Sequence, residues 1–323
     1  MDSSARFEYL DLQPSTGSFL NDVIAGLSAE HKALPPKYFY DARGSVLFDA
    51  ICELPEYYPT RTELSILQST SSEIAERAGR RGAIIEYGSG SGRKTRVLVT
   101  ALEPAVYVAI DISAEQLRSA VADLSAEFTQ VRMFAVSADY TQAMPLDDLE
   151  ALRGPRRIIY FPGSTIGNFN IADAKRFLVN ARQVARNGGA MLVGVDLKKD
   201  VRLLHAAYND AQGVTAAFNL NVLARINREL GGDFDLSAFR HHAFYNEAES
   251  RIEMHLSSTR AQRVTVAGRS FMFGDGESIH TENSYKYSVA EFQALAREAG
   301  FVAEHCWVDD QALFAIHYLN TKP

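Results

Sequence analysis

Three glycines at alternate positions follow an acidic residue in the run Glu86-Tyr87-Gly88-Ser89-Gly90-Ser91-Gly92. Apolar residues before this run and a helix-like pattern after it predict a buried strand, a tight turn and a helix N-terminus. Glycine is needed where the backbone takes a positive φ or lies close against a ligand. A helix N-terminus adds free N–H groups and the positive end of a dipole. The run is therefore a candidate ligand-binding turn.

The spacing of the glycines narrows the choice of ligand. A dinucleotide-binding turn has the pattern G-x-G-x-x-G, but Arg93 occupies the third glycine position here. A carboxylate at Glu86 would repel a pyrophosphate and attract a cation. The pattern resembles the first motif of class I methyltransferases. Their cofactor, S-adenosylmethionine (SAM), carries an ammonium and a sulfonium and no phosphate. A glycine-rich loop without a ligand is the alternative interpretation.

A second acidic residue ends the next apolar run, 105–111. Asp111 follows the glycine turn by about 20 residues, the distance at which a ribose-binding acid is found in nucleotide-binding folds. Taken alone, Asp111 could equally be a solvated residue at a strand end. Together with the glycine turn, it indicates cofactor binding.

The composition excludes several classes of protein. The 323 residues include 33 Lys and Arg against 40 Asp and Glu, a net charge of −7, so we expect no nucleic-acid partner. No apolar run approaches the length of a membrane span, and residues 1–6 have no apolar core, so we expect neither a membrane partner nor a signal peptide. Cys52 and Cys306 are isolated and the eight histidines form no metal-binding motif. This pattern predicts reduced thiols, no metal and a cytoplasmic location.

The elements that must position these residues alternate between strands and helices. A helix is predicted at 63–78, followed by strands at 83–87, 105–111, 131–138, 156–162 and 189–196 with helical segments between them. Such alternation predicts βαβ units and a parallel sheet. Ser113 and Ser288 each begin a capping-box pattern, and a helix and two strands end the chain.

Ligands of open α/β sheets bind beyond the carboxyl ends of the strands. The third predicted strand is followed by Asp139 and Tyr140, an acid and an aromatic ring that suit an adenine. The fourth is followed by a polar turn that ends at Asn168, where methyltransferases present the methyl acceptor. Asn168 could equally be a helix or turn cap.

After Asp196 the pattern changes. A helix with an apolar stripe is predicted at 213–230, and alternating segments at 251–257 and 264–266 predict antiparallel strands. Glu282 and Ser284 are two residues apart in an extended stretch, so they face the same side of a strand. By base rate, Glu282 could be a solvated strand residue. The aromatic segment near Tyr40 either packs on the core or caps a pocket.

Four motifs together resemble the L-histidine Nα-methyltransferases of ergothioneine biosynthesis. They are LPEYYPTRTE at 54–63, GSTIGN at 163–168, GVTAAFN at 213–219 and TENS at 281–284. The resemblance runs from Leu34 to the C-terminus. It implies an enzyme that converts the small molecule L-histidine to its trimethylammonium betaine, hercynine, by three transfers from SAM. We expect a monomer.

The resemblance also implies an α/β fold: a class I SAM-methyltransferase (Rossmann-like) domain with a second α+β lobe. The domain would comprise 61–196 and 287–323, and the lobe 1–60 and 197–286. The residues implied for the cofactor are Tyr40, Gly88, Lys94, Asp111, Asp139 and Tyr140. Those implied for the substrate are Tyr57, Gly163, Asn168, Tyr208, Met254, Glu282 and Ser284.

Within the substrate set, the resemblance assigns separate roles. Glu282 and Ser284 would hold the imidazole, and Asn168 and Tyr208 the amino-acid head group; with Tyr57 these are the implied catalytic residues. Pro162 departs from the pattern, because a more flexible apolar residue is expected after Phe161.

Two other functions fit the same sequence. The same fold and cofactor could serve another amino acid, such as tryptophan or a histidine derivative. An indole offers a single donor and favours an apolar wall, so Glu282 argues for histidine. A non-catalytic protein that senses SAM is the second alternative, against which the complete set of polar acceptor-side residues argues.

Overall fold

The computed structural model describes residues 7–12, 17–90, 92–142, 144 and 146–321. The residues on which the absence of a signal peptide was predicted, 1–6, lie outside this part of the chain. The helices and strands, in chain order, are β1 (Phe7–Asp11), α1 (Gly17–Ser28), α2 (Ala42–Cys52), α3 (Tyr58–Ala78), β2 (Ala83–Tyr87), α4 (Arg93–Leu102), β3 (Val106–Asp111), α5 (Ala114–Glu127), β4 (Arg132–Ser137), β5 (Arg157–Phe161), α6 (Ile171–Ala185), β6 (Ala190–Asp196), α7 (Val201–Tyr208), α8 (Val214–Leu230), β7 (Phe239–Asn246), β8 (Arg251–Ser258), β9 (Gln262–Val266), β10 (Arg269–Phe273), β11 (Ser278–Tyr285), α9 (Val289–Glu298), β12 (Phe301–Val308) and β13 (Phe314–Thr321).

These elements divide into two compact units. The first takes the described residues of Met1–Gln13, Pro59–Lys198 and Lys286–Pro323, and the second takes those of Pro14–Tyr58 and Lys199–Tyr285. Among the described residues, no helix combines the length and the apolar character needed to cross a bilayer.

The first unit is built on one sheet in the order β1-β4-β3-β2-β5-β6-β13-β12. The strands from β1 to β6 pair in parallel, while β13 is antiparallel to both β6 and β12. Strands β2, β5 and β6 are buried along their whole length, as expected for parallel strands covered on both faces. The five strands predicted from the sequence and the final helix and strand pair are confirmed, with bounds that differ by a few residues.

Two local features differ from the sequence-based predictions. The structure pairs β1 in parallel with β4, whereas residues 1–60 were all expected in the other lobe; five residues gave too short a pattern to indicate a strand. Ser113 precedes α5 without capping it, because its hydroxyl donates to Gln116 Oε1 at 2.9 Å. The capping box at Ser288 and Glu291 is confirmed.

The second unit contains a sheet in the order β11-β8-β7 and the separate hairpin of β9 and β10. The predicted stripe on α8 is buried at Phe218, Val222 and Ile226. The ring of Phe39 packs on Phe218 with centroids 4.7 Å apart. The Leu34 N–H donates to the carbonyl of His280 in β11 at 2.9 Å. The N-terminal aromatic segment therefore packs on the core of its own unit.

Candidate active site

The glycine turn after β2 has the backbone conformation that its sequence predicts. Gly88, Gly90 and Gly92 have φ values of 77°, 47° and 69°, in the left-handed region that favours glycine. Gly92 is the N-cap of α4, and Ser91 lies outside the described residues. A Cβ built at Gly88 or Gly90 would meet no atom within 4 Å. The turn thus borders open space in which a ligand could lie against the backbone.

The predicted cofactor acids lie at the same edge of the sheet as this turn. The Gly88 N–H donates to the Ile110 carbonyl at 2.8 Å, and the Ala138 N–H donates to the Asp111 carbonyl at 3.0 Å. These bonds align the ends of β2, β3 and β4, so Asp111 and Asp139 follow neighbouring strands. Burial raises the pKa of Asp111, although backbone N–H groups, including that of Ser113, oppose this shift.

Tyr140 belongs to an aromatic cluster beyond the ends of β2 and β5. Its ring centroid lies 5.8 Å from those of Tyr87 and Phe161 and 6.2 Å from that of Phe177. The side chain is half-buried, so its ring packs on the cluster and leaves part of its surface exposed at this edge. Stacking on an adenine remains a prediction.

Glu86 differs from its predicted role. Its side chain is 1% exposed, and the carboxyl accepts hydrogen bonds from the hydroxyls of Thr95 and Tyr107, both at 2.8 Å. Burial raises the pKa of Glu86 to about 8, against the lowering effect of these two hydroxyls and of Lys94. At pH 7 burial therefore favours the neutral form of this group, whose hydrogen bonds link β2 to α4 and β3.

Glu86→Gln is expected to remove part of the pH dependence of stability. Between the ordinary value of 4.5 and the folded value of about 8, the folded protein binds a proton that the unfolded chain has released. The free energy of unfolding therefore falls as pH rises through this range. His317, whose pKa burial lowers to about 4, acts in the opposite direction below about pH 6.5. Thermal melts between pH 6.5 and about 8 should show a steeper decline for the wild type than for the variant; equal slopes would contradict the assignment.

Lys94, a predicted cofactor residue, is paired with an acid that the sequence analysis did not select. Its ammonium donates to Glu63 Oε2, which also accepts the Gly163 N–H at 2.8 Å. The Glu63 side chain is 0% exposed and that of Lys94 17%. A Cβ at Gly194 would lie 2.4 Å from Glu63 Oε1, so a glycine in β6 makes room for this acid. Glu63 thereby joins two predicted site residues of the first unit.

A signal for Glu63 was present in the sequence. Glu63 precedes Leu67 by four residues and Ile74 by eleven, so it lies on the apolar face of the predicted helix. An acid on a buried face requires a partner. The sequence could not identify that partner, because Lys94 lies on a different helix.

Gly163 and Asn168 lie in the loop that follows β5. Gly163 and Ser164 have φ values of 76° and 58°, and the Ser164 hydroxyl accepts the Asp196 N–H at 2.9 Å. Asn168 ends the short 3₁₀ turn Thr165–Asn168 and is half-buried. The N-cap of α6 is Asn170, so Asn168 is not the cap of that helix.

The structure brings five predicted substrate residues together in the second unit. Glu282 pairs with Met254 across β11 and β8, and the Tyr208 hydroxyl donates to Ser284 Oγ at 2.7 Å. The rings of Tyr57 and Tyr208 have centroids 6.4 Å apart. Burial, reinforced by nearby groups that include Tyr208 and Glu282, raises the pKa of Tyr57. We call Tyr57, Tyr208, Met254, Glu282 and Ser284 the acceptor cluster.

Three of the implied residues do not lie in the same unit as most of the other residues implied for the same ligand. Tyr40, implied for the cofactor, lies in the second unit and packs against Phe48 and Phe218, at centroid distances of 5.6 and 5.7 Å. Gly163 and Asn168, implied for the substrate, lie in the first. Their roles remain predictions.

A group of possible metal ligands lies in the second unit. Among the described residues, Glu253, His255 and His280 hold ligand atoms within 4.8 Å of one another. The two imidazole rings are stacked, with centroids 4.7 Å apart and planes at 11°. Each nitrogen lone pair lies in its ring plane, so two nearly parallel rings cannot direct lone pairs at one ion. One ring would have to turn before these residues could coordinate a metal.

Comparison with known proteins identifies the family. The family model for the SAM-dependent histidine-specific methyltransferases matches residues 19–321. The chain belongs to this family. A histidine N-alpha-methyltransferase of Mycolicibacterium smegmatis is 43% identical over 314 residues, covering 95% of this chain and 96% of that protein. One of Mycobacterium tuberculosis is 42% identical, with coverages of 91% and 92%. Ergothioneine biosynthesis protein 1 of Neurospora crassa is 33% identical over 85% of this chain and 32% of its own length.

The first unit of this methyltransferase fits the cofactor of its family. The fold is the predicted class I SAM-methyltransferase fold, with the additional antiparallel strands of the second unit. Open space beside Gly88 and Gly90 admits a ligand, and Asp111 follows the neighbouring strand at the same edge; its binding of a ribose remains a prediction. The enzyme is a SAM-dependent methyltransferase.

Proposed function

We propose that this enzyme trimethylates the α-amino group of L-histidine to hercynine, the first step of ergothioneine biosynthesis. The acceptor cluster is the observation that carries the proposal. Glu282 and Ser284 lie on one strand beside the Tyr208 hydroxyl. A carboxylate and a hydroxyl match the two nitrogens of an imidazole, one of which donates while the other accepts. The names of the bacterial and fungal relatives support the same substrate and pathway.

We assign the two ligands to the two units. In the first unit, Gly88 and Gly90 would lie against the cofactor, Asp111 would accept hydrogen bonds from its ribose, and Asp139 and Tyr140 would bind its adenine. In the second, Glu282 and Ser284 of the acceptor cluster would bind the imidazole of histidine, and Tyr208 its amino-acid head group. Tyr40, Lys94, Gly163 and Asn168 complete the sets implied by the family.

The protein's own contribution is to position the two reactants and to keep the acceptor amine neutral. Bound SAM supplies an electrophilic methyl group. Because burial raises the pKa of Tyr57, its phenol stays neutral and adds no negative charge that would favour an ammonium. Accurate positioning of reactants is the main source of rate in a displacement of this kind. A substrate without an imidazole would leave buried polar groups of the site without partners. The site would therefore reject it.

Mass spectrometry of reaction mixtures tests the proposal. The purified enzyme and SAM are incubated with each of the common amino acids in turn. Histidine alone should gain successive methyl groups up to the trimethylated product. Methylation of tryptophan in place of histidine, or binding of SAM with no product from any amino acid, would contradict it.

We further propose that the enzyme acts as a cytoplasmic monomer on its small-molecule substrate, without a nucleic-acid or membrane partner. The net charge of −7 supports the absence of a nucleic-acid partner, because phosphate binding requires clustered cations. Light scattering of the protein as it elutes from a size-exclusion column measures the oligomeric state.

A further inference from the structure

Asn219 lies at the centre of a buried polar network in the second unit. Its side chain is 0% exposed. Its amide nitrogen is 2.9 Å from His241 Nδ1 and 3.1 Å from the His255 carbonyl, and its oxygen accepts the Thr281 hydroxyl at 2.8 Å. Both amide hydrogens and the oxygen thus have partners. Such a network is tolerated in an apolar core only when it is satisfied in this way.

One arm of the network reaches Glu282 through a β-bulge. His280 pairs with His255 and Glu282 pairs with Met254, so Thr281 is an extra residue in β11. Its hydroxyl lies 2.8 Å from Asn219 Oδ1 and 3.0 Å from the Met254 carbonyl. A bulge re-aims the side chains that follow it.

The bulge decides which way Glu282 faces. Continuous pairing from His280 would place Glu282 opposite Glu253 and turn it, with Ser284, to the other face of the sheet. Two carboxylates would then be cross-strand neighbours, which is destabilising. With the bulge, Glu282 is opposite Met254 and on the side of the acceptor cluster.

The other arm reaches Tyr208 through His241. His241 Nε2 lies 2.8 Å from the Tyr208 carbonyl. Because the Asn219 amide donates to Nδ1, the ring carries its proton on Nε2 and donates to that carbonyl. Burial lowers the pKa of His241, so the ring remains neutral. Tyr208 in turn donates to Ser284.

We propose that Asn219 and Thr281 are positioning residues that set the affinity for histidine, by holding Glu282 and Tyr208 in place. The inference rests on the histidine site proposed above. The hydrogen bonds of Asn219 join α8 to β8, to β11 and, through β7, to the end of α7. Neither residue belongs to the set implied for substrate or cofactor.

Thr281→Val tests this role because valine keeps the branched shape and removes the hydroxyl. Loss of the donor leaves the Asn219 oxygen buried and unpaired, so KM for histidine should rise about 10-fold. The affinity for S-adenosylhomocysteine, measured by calorimetry, should change by less than about twofold. Thr281→Ser, which keeps the hydroxyl, should retain a near wild-type KM.

Thr265→Val, in β9 of the same unit, is the matched control. It should leave KM for histidine and the affinity for S-adenosylhomocysteine unchanged. If Thr281→Val does not fold, Thr281→Cys replaces it, because a thiol is a weaker donor and should give an intermediate KM. An unchanged KM for histidine, or an equal loss of affinity for both ligands, would overturn the positioning role. A wild-type enzyme that binds S-adenosylhomocysteine but does not methylate histidine would instead overturn the proposed function.

Discussion

Replacing Glu282 with alanine is expected to lower kcat/KM for histidine about 100-fold, because a hydrogen bond to a charged group contributes about 1.5–3 kcal/mol. The half-buried carboxylate is the proposed acceptor for an imidazole N–H, and alanine leaves that donor unpaired. Cofactor affinity should change by less than about twofold, because Glu282 belongs to the second unit, whereas the glycine turn, Asp111 and Asp139 belong to the first. Initial rates with varied histidine and calorimetry with S-adenosylhomocysteine measure the two quantities.

Two further variants sharpen this test. Glu282→Gln retains an oxygen acceptor and removes the charge, so its loss should be about 10-fold, the difference between a charged and a neutral hydrogen bond. Glu249→Ala changes an exposed acid in the turn between β7 and β8 and should leave the rate unaltered. Equal losses of histidine turnover and cofactor affinity in Glu282→Ala would exclude a role specific to histidine.

Replacing Lys94 with methionine is expected to lower the free energy of unfolding by about 3 kcal/mol, the low end of the range for breaking a buried ion pair. The variant leaves the Glu63 carboxylate, which is 0% exposed, without its cation, while the 17% exposure of Lys94 limits the loss. Urea denaturation measures the change.

A double variant separates this pair from simple loss of packing. Glu63→Gln in the Lys94→Met background removes the stranded charge and should recover most of the lost stability. Lys175→Met breaks the exposed pair with Glu298, whose side chains are 46% and 62% exposed, and should cost less than about 1 kcal/mol. If the double variant were as unstable as Lys94→Met, the unpaired charge of Glu63 would not be the cause of the lost stability.

Features that depend on neighbouring residues were predictable from the sequence. The three glycines of the turn adopt a left-handed backbone conformation that other residues rarely adopt. Their spacing therefore identified the turn even without knowledge of its ligand. The apolar runs of β2 to β6 indicated a parallel sheet, because strands covered on both faces are apolar throughout. The capping box at Ser288 involves only residues three apart.

Other features needed the tertiary structure because they join residues that are distant in the chain. The sequence predicted that Glu86 would attract a cationic ligand, but the fold places Tyr107, on the neighbouring strand, against its carboxyl. The acid on the buried face of α3 could be recognised as unusual, but only folding brings Lys94 and Gly163 to Glu63. Strand β1 joins the first unit through pairing with β4, which its five residues do not reveal.

The sequence by itself determined the class of ligand, the sheet that binds it and the residue types available to an acceptor. The tertiary structure alone decided how those side chains are aimed. The bulge at Thr281 is hydrogen-bonded to Asn219, 62 residues earlier in the chain, and the shift in register places Glu282 opposite Met254. Local chemistry determines backbone conformation, whereas the direction of a buried side chain depends on which distant partner satisfies its hydrogen bonds.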